Sequence, residues 1–380
     1  MRALHYSVLA RITTITVVAA ACSDRPTTAP SFATPLIAVA GMSVQQYATP
    51  ELIPPLAPPG PGNYARGNRA AAINSSGHVV GTSTANCWGG SEKTTAYLYY
   101  GPGTAPIDLF APDASCTFSV AMDINNYDGV AGTYGNHAFR WTPSSGVTVL
   151  PGLLSGTSEA YAINNAGAIV GSAYLSLGGG VGTMHAVQWT ASNVVLDIHP
   201  AGYVSSVAVD INDSGVITGI ACNASNVCWV GRWSSAGFAT LSNFVTYWDA
   251  RNDVSINNYS TIAASHSVQN GRWDTSYLTW NSRDVVYSYP APPAAVLKVS
   301  DKGRVVGVTP VGRSPFPPAP TASTRLGNAA TVLPITAGYT MSEAAGVNTC
   351  GDIVGTEKWV YATGYGQSQA LIWRNSACDP

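Results

Sequence analysis

The sequence predicts an all-β protein, a seven-bladed β-propeller whose blades are four-stranded antiparallel sheets. Three observations lead to this prediction. A hairpin motif occurs seven times, a second strand motif follows the hairpins with a degenerate sixth copy, and the copies are evenly spaced. From the first turn at Asn74 to the last at Asn348, six intervals cover 274 residues. Each interval is therefore about 46 residues, which is typical of a propeller blade.

The hairpin motif is clearest at residues 160–171, which read AYAINNAGAIVG. Side chains alternate before the turn as in a strand. Asn164 and Gly167 occupy the first and fourth turn positions, as a type I turn followed by a residue of positive φ requires. The other copies lie at 70–81, 121–132, 208–219, 253–264, 296–307 and 344–355.

Two copies depart from this pattern. We expect the turn glycine to be replaced by Thr261 in the fifth copy and the turn asparagine by Ser300 in the sixth. In the six copies other than the fifth the expected turn glycines are Gly77, Gly129, Gly167, Gly215, Gly303 and Gly351.

The second motif is clearest as HAFRW at residues 137–141, followed by a Val-x-x-Leu segment at 147–150. We assign these segments to strands three and four of each repeat. Counterparts of the first segment lie at 95–99, 185–189, 229–233, 276–280 and 369–373.

With both motifs in order, residues 121–189 resemble the bacterial extracellular HAF-repeat family, and the resemblance extends from about residue 45 to the end of the chain. It implies an extracytoplasmic repeat protein. No activity is established for that family, so the resemblance transfers no catalytic residue.

The N-terminal residues predict export. Residues 1–21 carry Arg2 and Arg11 before an apolar run, as a signal peptide does. The run ends at Cys22, which resembles a lipoprotein cleavage site, and lipidation of Cys22 would leave an even six of the seven cysteines. A plain secretory signal is the alternative. Residues 22–44 are rich in Pro, Thr and Ala and predict an extended tether. The protein is thus expected on a membrane through a lipid anchor, at the outer membrane or cell surface.

Charge argues against a nucleic-acid partner. Only 10% of residues are charged. Loss of Arg2 and Arg11 would leave 16 basic and 20 acidic side chains, a net charge of −4. No basic stripe is present to bind phosphates.

Residues 45–56 predict how the ring closes. They resemble a fourth strand without a blade of its own, whereas the last repeat has only seven residues after Trp373. We expect the N-terminal segment to complete the last blade of a domain spanning residues 45–380, because closure removes exposed sheet edges.

The six remaining cysteines suit sequential disulfides, since each such pair falls on one face of the expected ring. The expected bonds are Cys87–Cys116, Cys222–Cys228 and Cys350–Cys378. Free thiols are unusual in an exported chain. Metal ligation would need closer Cys and His clustering, so no metal is expected.

Candidate binding residues lie in two places. Aromatic residues in the long links could form a ligand platform or simply pack down the loops; the main candidates are Trp88, Trp248 and Trp359, with Tyr203, Tyr247 and Phe316. Five residues before the turns, Arg69, Glu159 and Glu343 are expected at the channel mouth, where a solvated rim is the plainer interpretation.

Other polar residues are interpreted as structural. Asp123 and Asp210 are expected to accept local hydrogen bonds, and His137 and His185 belong to the repeat. No catalytic, phosphate-binding or calcium motif is present, so no cofactor is expected.

These features favour a monomeric, non-catalytic scaffold that binds glycan or protein at the cell envelope. The alternatives are a polysaccharide-degrading propeller enzyme, which needs two suitably spaced carboxylates, and a passive envelope component.

Overall fold

The computed structural model describes residues 47–56, 65–86, 92–111, 117–178, 181–246, 254–268, 272–281, 286–290, 295–309, 321–326, 329–360 and 366–376. These residues form an all-β structure with a β-propeller arrangement of four-stranded blades. None of them belongs to a helix of the length and apolarity that a bilayer crossing needs.

Five sets of four consecutive strands form separate antiparallel sheets. The first sheet comprises β6 (Ser119–Ile124), β7 (Val130–Tyr134), β8 (His137–Thr142) and β9 (Gly146–Val149). The second comprises β10 (Ser158–Ile163), β11 (Ile169–Gly178), β12 (Val181–Trp189) and β13 (Val195–Asp197). The third sheet comprises β14 (Ser205–Ile211), β15 (Ile217–Cys222), β16 (Cys228–Ser234) and β17 (Gly237–Thr246). The fourth comprises β18 (Val254–Ile256), β19 (Ile262–Val268), β20 (Arg272–Trp280) and β21 (Val286–Pro290). The fifth comprises β22 (Ala295–Val299), β23 (Val305–Thr309), β24 (Thr321–Leu326), β25 (Ala329–Val332).

The remaining eight strands form one sheet. Its members are β1 (Glu51–Leu52), β2 (Ala65–Ile73), β3 (Val79–Asn86), β4 (Glu92–Tyr99), β5 (Ile107–Asp108), β26 (Met341–Val347), β27 (Ile353–Val360) and β28 (Gly366–Trp373). Their order in the sheet is β26-β27-β28-β2-β3-β4-β5, with β1 paired to β28.

Of the seven four-stranded blades that the sequence predicts, five are separate sheets, and the other described strands belong to this larger sheet. The join is a single parallel pair, Gly67 with Ser368. A Cβ at Gly67 would lie 2.6 Å from the Ser368 carbonyl oxygen, so only glycine allows this approach.

The turns follow the predicted chemistry with one correction. In the turn at Asn164, Gly167 N–H donates to the Asn164 carbonyl at 3.0 Å, and Gly167 has φ +78°. In the second and fifth repeats, however, the positive φ belongs to Asp128 and Ser260. The sequence analysis assigned this turn position to Gly129 and Thr261, each one residue C-terminal to the residue that occupies it. Asparagine, aspartate and serine carry polar groups that help a short side chain tolerate this conformation.

Neighbouring blades pack through recurring contacts. The alanine N–H of the HAF motif donates to a serine Oγ on the next blade's first strand, as Ala186 does to Ser206 at 2.9 Å. The same bond joins Ala96 to Ser119, Ala138 to Ser158 and Ala322 to Ser342. The motif tryptophans Trp189 and Trp373 are fully buried, and Phe139 is buried as well. The repeated residues therefore form the interfaces between blades.

The N-terminal segment packs on the last strand, as the sequence predicted. Glu51 pairs with Ile372 and Leu52 with Leu371, and Ile53 N–H donates to the Ala370 carbonyl at 2.9 Å. Ile53 is fully buried. The signal segment 1–21, the tether 22–44 and Cys22 lie outside the described residues.

Candidate functional site

The turn asparagines form a chain of hydrogen bonds from repeat to repeat. Asn164 Oδ1 accepts the Ala168 N–H at 2.9 Å, and Asn164 Nδ2 donates to the Asn212 carbonyl at 3.1 Å. The same donation to the next turn's carbonyl occurs from Asn74 to Asn125, Asn125 to Asn164, Asn212 to Asn257, Asn257 to Ser300, and Asn348 to Asn74. We call these turns the asparagine ring. Its buried amides hold the repeats together, so their role is structural.

The small cavity beside this ring, about 140 Å³, is lined by five charged side chains, of which three interact closely. Asp123, Asp210 and Lys298 each stand two residues before a turn, where the strand register shifts by one residue. Such a bulge re-aims a side chain. Lys298 Nζ lies 3.0 Å from both carboxylate oxygens of Asp210, which also accepts bonds from Ser255 Oγ at 2.7 Å and Ile256 N–H at 3.0 Å.

The electrostatics of this trio follow from burial and proximity. Burial raises the pKa of Asp123 to about 6, with Asp210 adding to the rise and Lys298 opposing it. Burial would lower the pKa of Lys298, but Asp210 and Asp123 outweigh it and raise that pKa above its usual value. Asp123 Oδ2 accepts the Ile163 N–H at 3.0 Å. Asp123 and Asp210 are hydrogen-bond acceptors as predicted, but apart from the Ile211 N–H, which Asp210 accepts, the donors cited here lie on other blades and are not local.

Lys298 was missed by the sequence reasoning. The available signal was its position, since it precedes its turn by the same two residues as Asp123 and Asp210.

No described contact joins the predicted channel-mouth residues Arg69, Glu159 and Glu343 to one another. Glu159 accepts the hydroxyl of Tyr161, and Glu343 lies 3.6 Å from Lys358 Nζ. Arg69 is exposed. The described contacts thus do not assemble the two glutamates and the arginine into an acid–base site.

Only some of the predicted aromatic and cysteine residues lie within the described part of the chain. Trp359 is 41% exposed on β27, whereas Trp88, Trp248, Tyr247 and Phe316 lie outside the described residues.

The Cys222–Cys228 disulfide is confirmed. Cys350 is disulfide-bonded, and Cys87, Cys116 and Cys378 lie outside the described residues. In the described part of the chain, no group of three or more His, Cys, Asp or Glu is placed to hold a metal ion.

A second cavity, of about 860 Å³, lies between the β10–β13 and β14–β17 blades. We call it the interblade groove. Its aromatic lining consists of Tyr203, Trp233 and Phe238; the Phe238 ring centroid lies 4.5 Å from that of Trp233 and 5.4 Å from that of Tyr203. Phe238 covers Gly231, where a Cβ would lie 2.4 Å from the phenyl ring. Glycine at this position therefore seats the ring against the sheet.

The polar lining of the interblade groove differs from the asparagine ring. Gln188, Tyr203 and Thr240 line it, and none of their side chains forms a hydrogen bond with another described residue. A ligand pocket typically combines an apolar lining with a few such groups. Sequence reasoning placed Tyr203 among the loop aromatics but missed the groove, because its two walls come from different repeats.

His199 is the one imidazole that lines the described part of this groove. Its Nδ1 lies 2.7 Å from Ser206 Oγ and its Nε2 3.1 Å from the Tyr203 carbonyl oxygen. Burial lowers the pKa of His199. Nε2 carries the proton that the carbonyl accepts, so Nδ1 accepts from Ser206. Ser206 is fully buried, so this pair holds the link in place and does not present a nucleophile.

No protein-family model and no curated protein sequence matches the chain. Solved structures do match. A mutant puromycin hydrolase aligns with a TM-score of 0.54 at 11% identity, over 80% of this chain and 53% of that one. An oligogalacturonate lyase from Vibrio parahaemolyticus aligns with a TM-score of 0.51 at 10% identity, over 82% of this chain and 91% of that one. The chain spans about half the length of the puromycin hydrolase. At these identities the likeness shows the propeller fold alone.

Proposed function

We propose that the protein is a non-catalytic binding scaffold for a glycan or protein ligand, exported and lipid-anchored at the cell envelope. One observation carries the proposal. The interblade groove is of ligand size, roughly 300–1,000 Å³ for small-molecule sites, and has polar side chains without hydrogen-bond partners in the described chain beside an aromatic lining. The Asp210–Lys298 pair and the asparagine ring, by contrast, are bonded internally.

A thermal-shift screen of the full chain with its disulfides intact tests this function. The panel would contain neutral and acidic polysaccharides, peptidoglycan fragments and solubilised envelope proteins. A ligand at 100 times its Kd adds about 2.7 kcal/mol of stability. A reproducible shift without conversion of the ligand supports a scaffold. No shift with any component favours a passive envelope protein.

Enzymatic turnover is the second candidate function, and Asp123 is the observation that favours it. A carboxyl whose pKa is raised to about 6 beside a second carboxylate resembles a general acid. The fold neighbours include a hydrolase and a lyase. Turnover of a polysaccharide that Asp123→Asn abolishes, while binding persists, would replace the scaffold proposal with an enzyme.

We also propose a closed ring of seven blades, in which the eight-stranded sheet comprises the first blade (β2–β5) and the last (β1 with β26–β28). Two contacts support closure across this seam. Asn348 Nδ2 donates to the Asn74 carbonyl at 3.3 Å. Ala370 N–H donates to Asn68 Oδ1 at 2.9 Å, in the role that serine has elsewhere. Deletion of residues 47–56 should give an aggregating chain; a soluble, cooperatively melting deletion variant would contradict closure.

The membrane anchor is part of the same proposal, together with membership of the HAF-repeat family and a monomeric state. Cys22→Ser should move the chain from the membrane fraction to the soluble fraction, because no acyl chain would be attached. Continued membrane association of that variant would remove lipidation from the proposal. Sedimentation of the detergent-extracted chain would test the monomer.

A further inference from the structure

The interblade groove has an aromatic platform that is partly exposed. Phe238 is half-buried between Trp233 and Tyr203 and is supported from below by Gly231. Trp233 itself is only 7% exposed, and its indole N–H donates to the Ile198 carbonyl at 2.8 Å. The platform is therefore held in place before any ligand arrives, which lowers the entropy cost of binding.

The groups beside the platform can both donate and accept hydrogen bonds. A glutamine amide and the hydroxyls of tyrosine and threonine each have this double capacity. Gln188, Tyr203 and Thr240 do not use their side chains in hydrogen bonds within the described chain. A ligand that enters must offer donors and acceptors in return, since burying these groups without partners costs free energy.

The groove is also uncharged. None of its described lining residues is Asp, Glu, Lys or Arg. The imidazole of His199 is held neutral by the lowered pKa that burial causes. A charged ligand would lose hydration here without gaining an opposite charge.

We propose, resting on the binding function above, that the interblade groove binds a neutral oligosaccharide. A sugar ring presents an apolar C–H face, which suits Phe238, and an edge of hydroxyls, which suits Gln188, Tyr203 and Thr240. The absence of charge in the described lining excludes uronic-acid chains as the preferred ligand. The groove thus differs in ligand class from the oligogalacturonate lyase whose fold the chain shares.

Isothermal titration of the full chain tests this. The probes are cellopentaose, mannopentaose and chitopentaose, with pentagalacturonate as the charged comparison and a neutral Gly/Ser/Tyr decapeptide as the peptide comparison. We expect saturable binding of at least one neutral pentasaccharide. Gln188→Ala and Tyr203→Phe should each weaken it about fivefold to tenfold, the loss expected for one hydrogen bond. Tyr259→Phe deletes the same atom from an exposed turn tyrosine and should leave the Kd unchanged.

The other outcomes separate this inference from the wider proposal. Preference for pentagalacturonate or for the decapeptide overturns the neutral-sugar assignment but leaves a binding scaffold. Sugar binding that neither groove variant weakens overturns the groove as the site. Failure of all three neutral probes overturns the inference, and the binding function then depends on whether the thermal-shift panel gives a hit. Melting temperatures of the variants would show that each is folded.

Discussion

The asparagine ring with its charged trio and the interblade groove use similar polar side chains in opposite ways. In the ring, Asn164 bonds through both ends of its amide, and Asp210 accepts from four side-chain or backbone donors. In the groove, the amide of Gln188 has no partner among the described residues. The ring residues recur from repeat to repeat, whereas the groove residues belong to one junction. In a repeat scaffold, recurrence marks the contacts that hold the repeats together, and binding is found where the repeats differ.

The largest effect on stability should come from Lys298→Met. Asp210 is only 4% exposed and would lose its cation, so the free energy of unfolding should fall by about 3 kcal/mol. Denaturant unfolding at neutral pH would measure this. Lys302→Met, at an exposed turn position, is the matched control and should cost under about 0.5 kcal/mol. If both substitutions lowered the free energy of unfolding equally, Lys298 would contribute no more to stability than an ordinary surface charge.

A pH-dependent effect should follow from Asp123. Its pKa is raised from 3.8 to about 6 in the folded protein. Between these values the folded state holds a proton that the unfolded state has lost, so wild-type stability falls as pH rises, by roughly 2–3 kcal/mol. Asp123→Asn removes this loss. The variant's stability relative to wild type should therefore increase from about pH 4 to about pH 6 and then level off. A difference that stays constant with pH would contradict the shift.

Asn164→Ala should lower the free energy of unfolding by about 2 kcal/mol, because two hydrogen bonds disappear and the Asn212 carbonyl loses its donor. The neighbouring Asn165 is only half-buried, and its side chain bonds to Asp213 in an exposed contact. Its replacement by alanine should cost less than half as much. Thermal and denaturant unfolding of the two variants would compare a buried and a half-buried amide in one turn.

The smallest effect on stability should come from the groove. Gln188→Ala and Tyr203→Phe remove groups without partners in the described chain, so each should change stability by under about 0.5 kcal/mol. A loss as large as that of Asn164→Ala would show that these groups are structural, and the contrast between ring and groove would fail.

Much of the fold could be predicted because the strand motifs and the turns are local. Alternation and the Asn-x-x-Gly turn lie within twelve residues, and they located the strands. The errors at Gly129 and Thr261 arose because a turn position can be filled by Asp128 or Ser260 without the glycine signal. The candidate site was harder to predict, since Arg69, Glu159 and Glu343 share a sequence position, yet the two glutamates contact different residues and Arg69 is exposed.

The sequence by itself determined the all-β class, the repeating four-strand unit and the role of the N-terminal segment as a partner of the last strand. Only the tertiary structure decided that Lys298 meets Asp210, 88 positions away, that Gly67 admits Ser368, and that two blades enclose a groove. The physical reason is range. Propensity and turn chemistry act between near neighbours in the chain. Ion pairs, close backbone approaches and cavities depend on which distant residues the packed blades bring together.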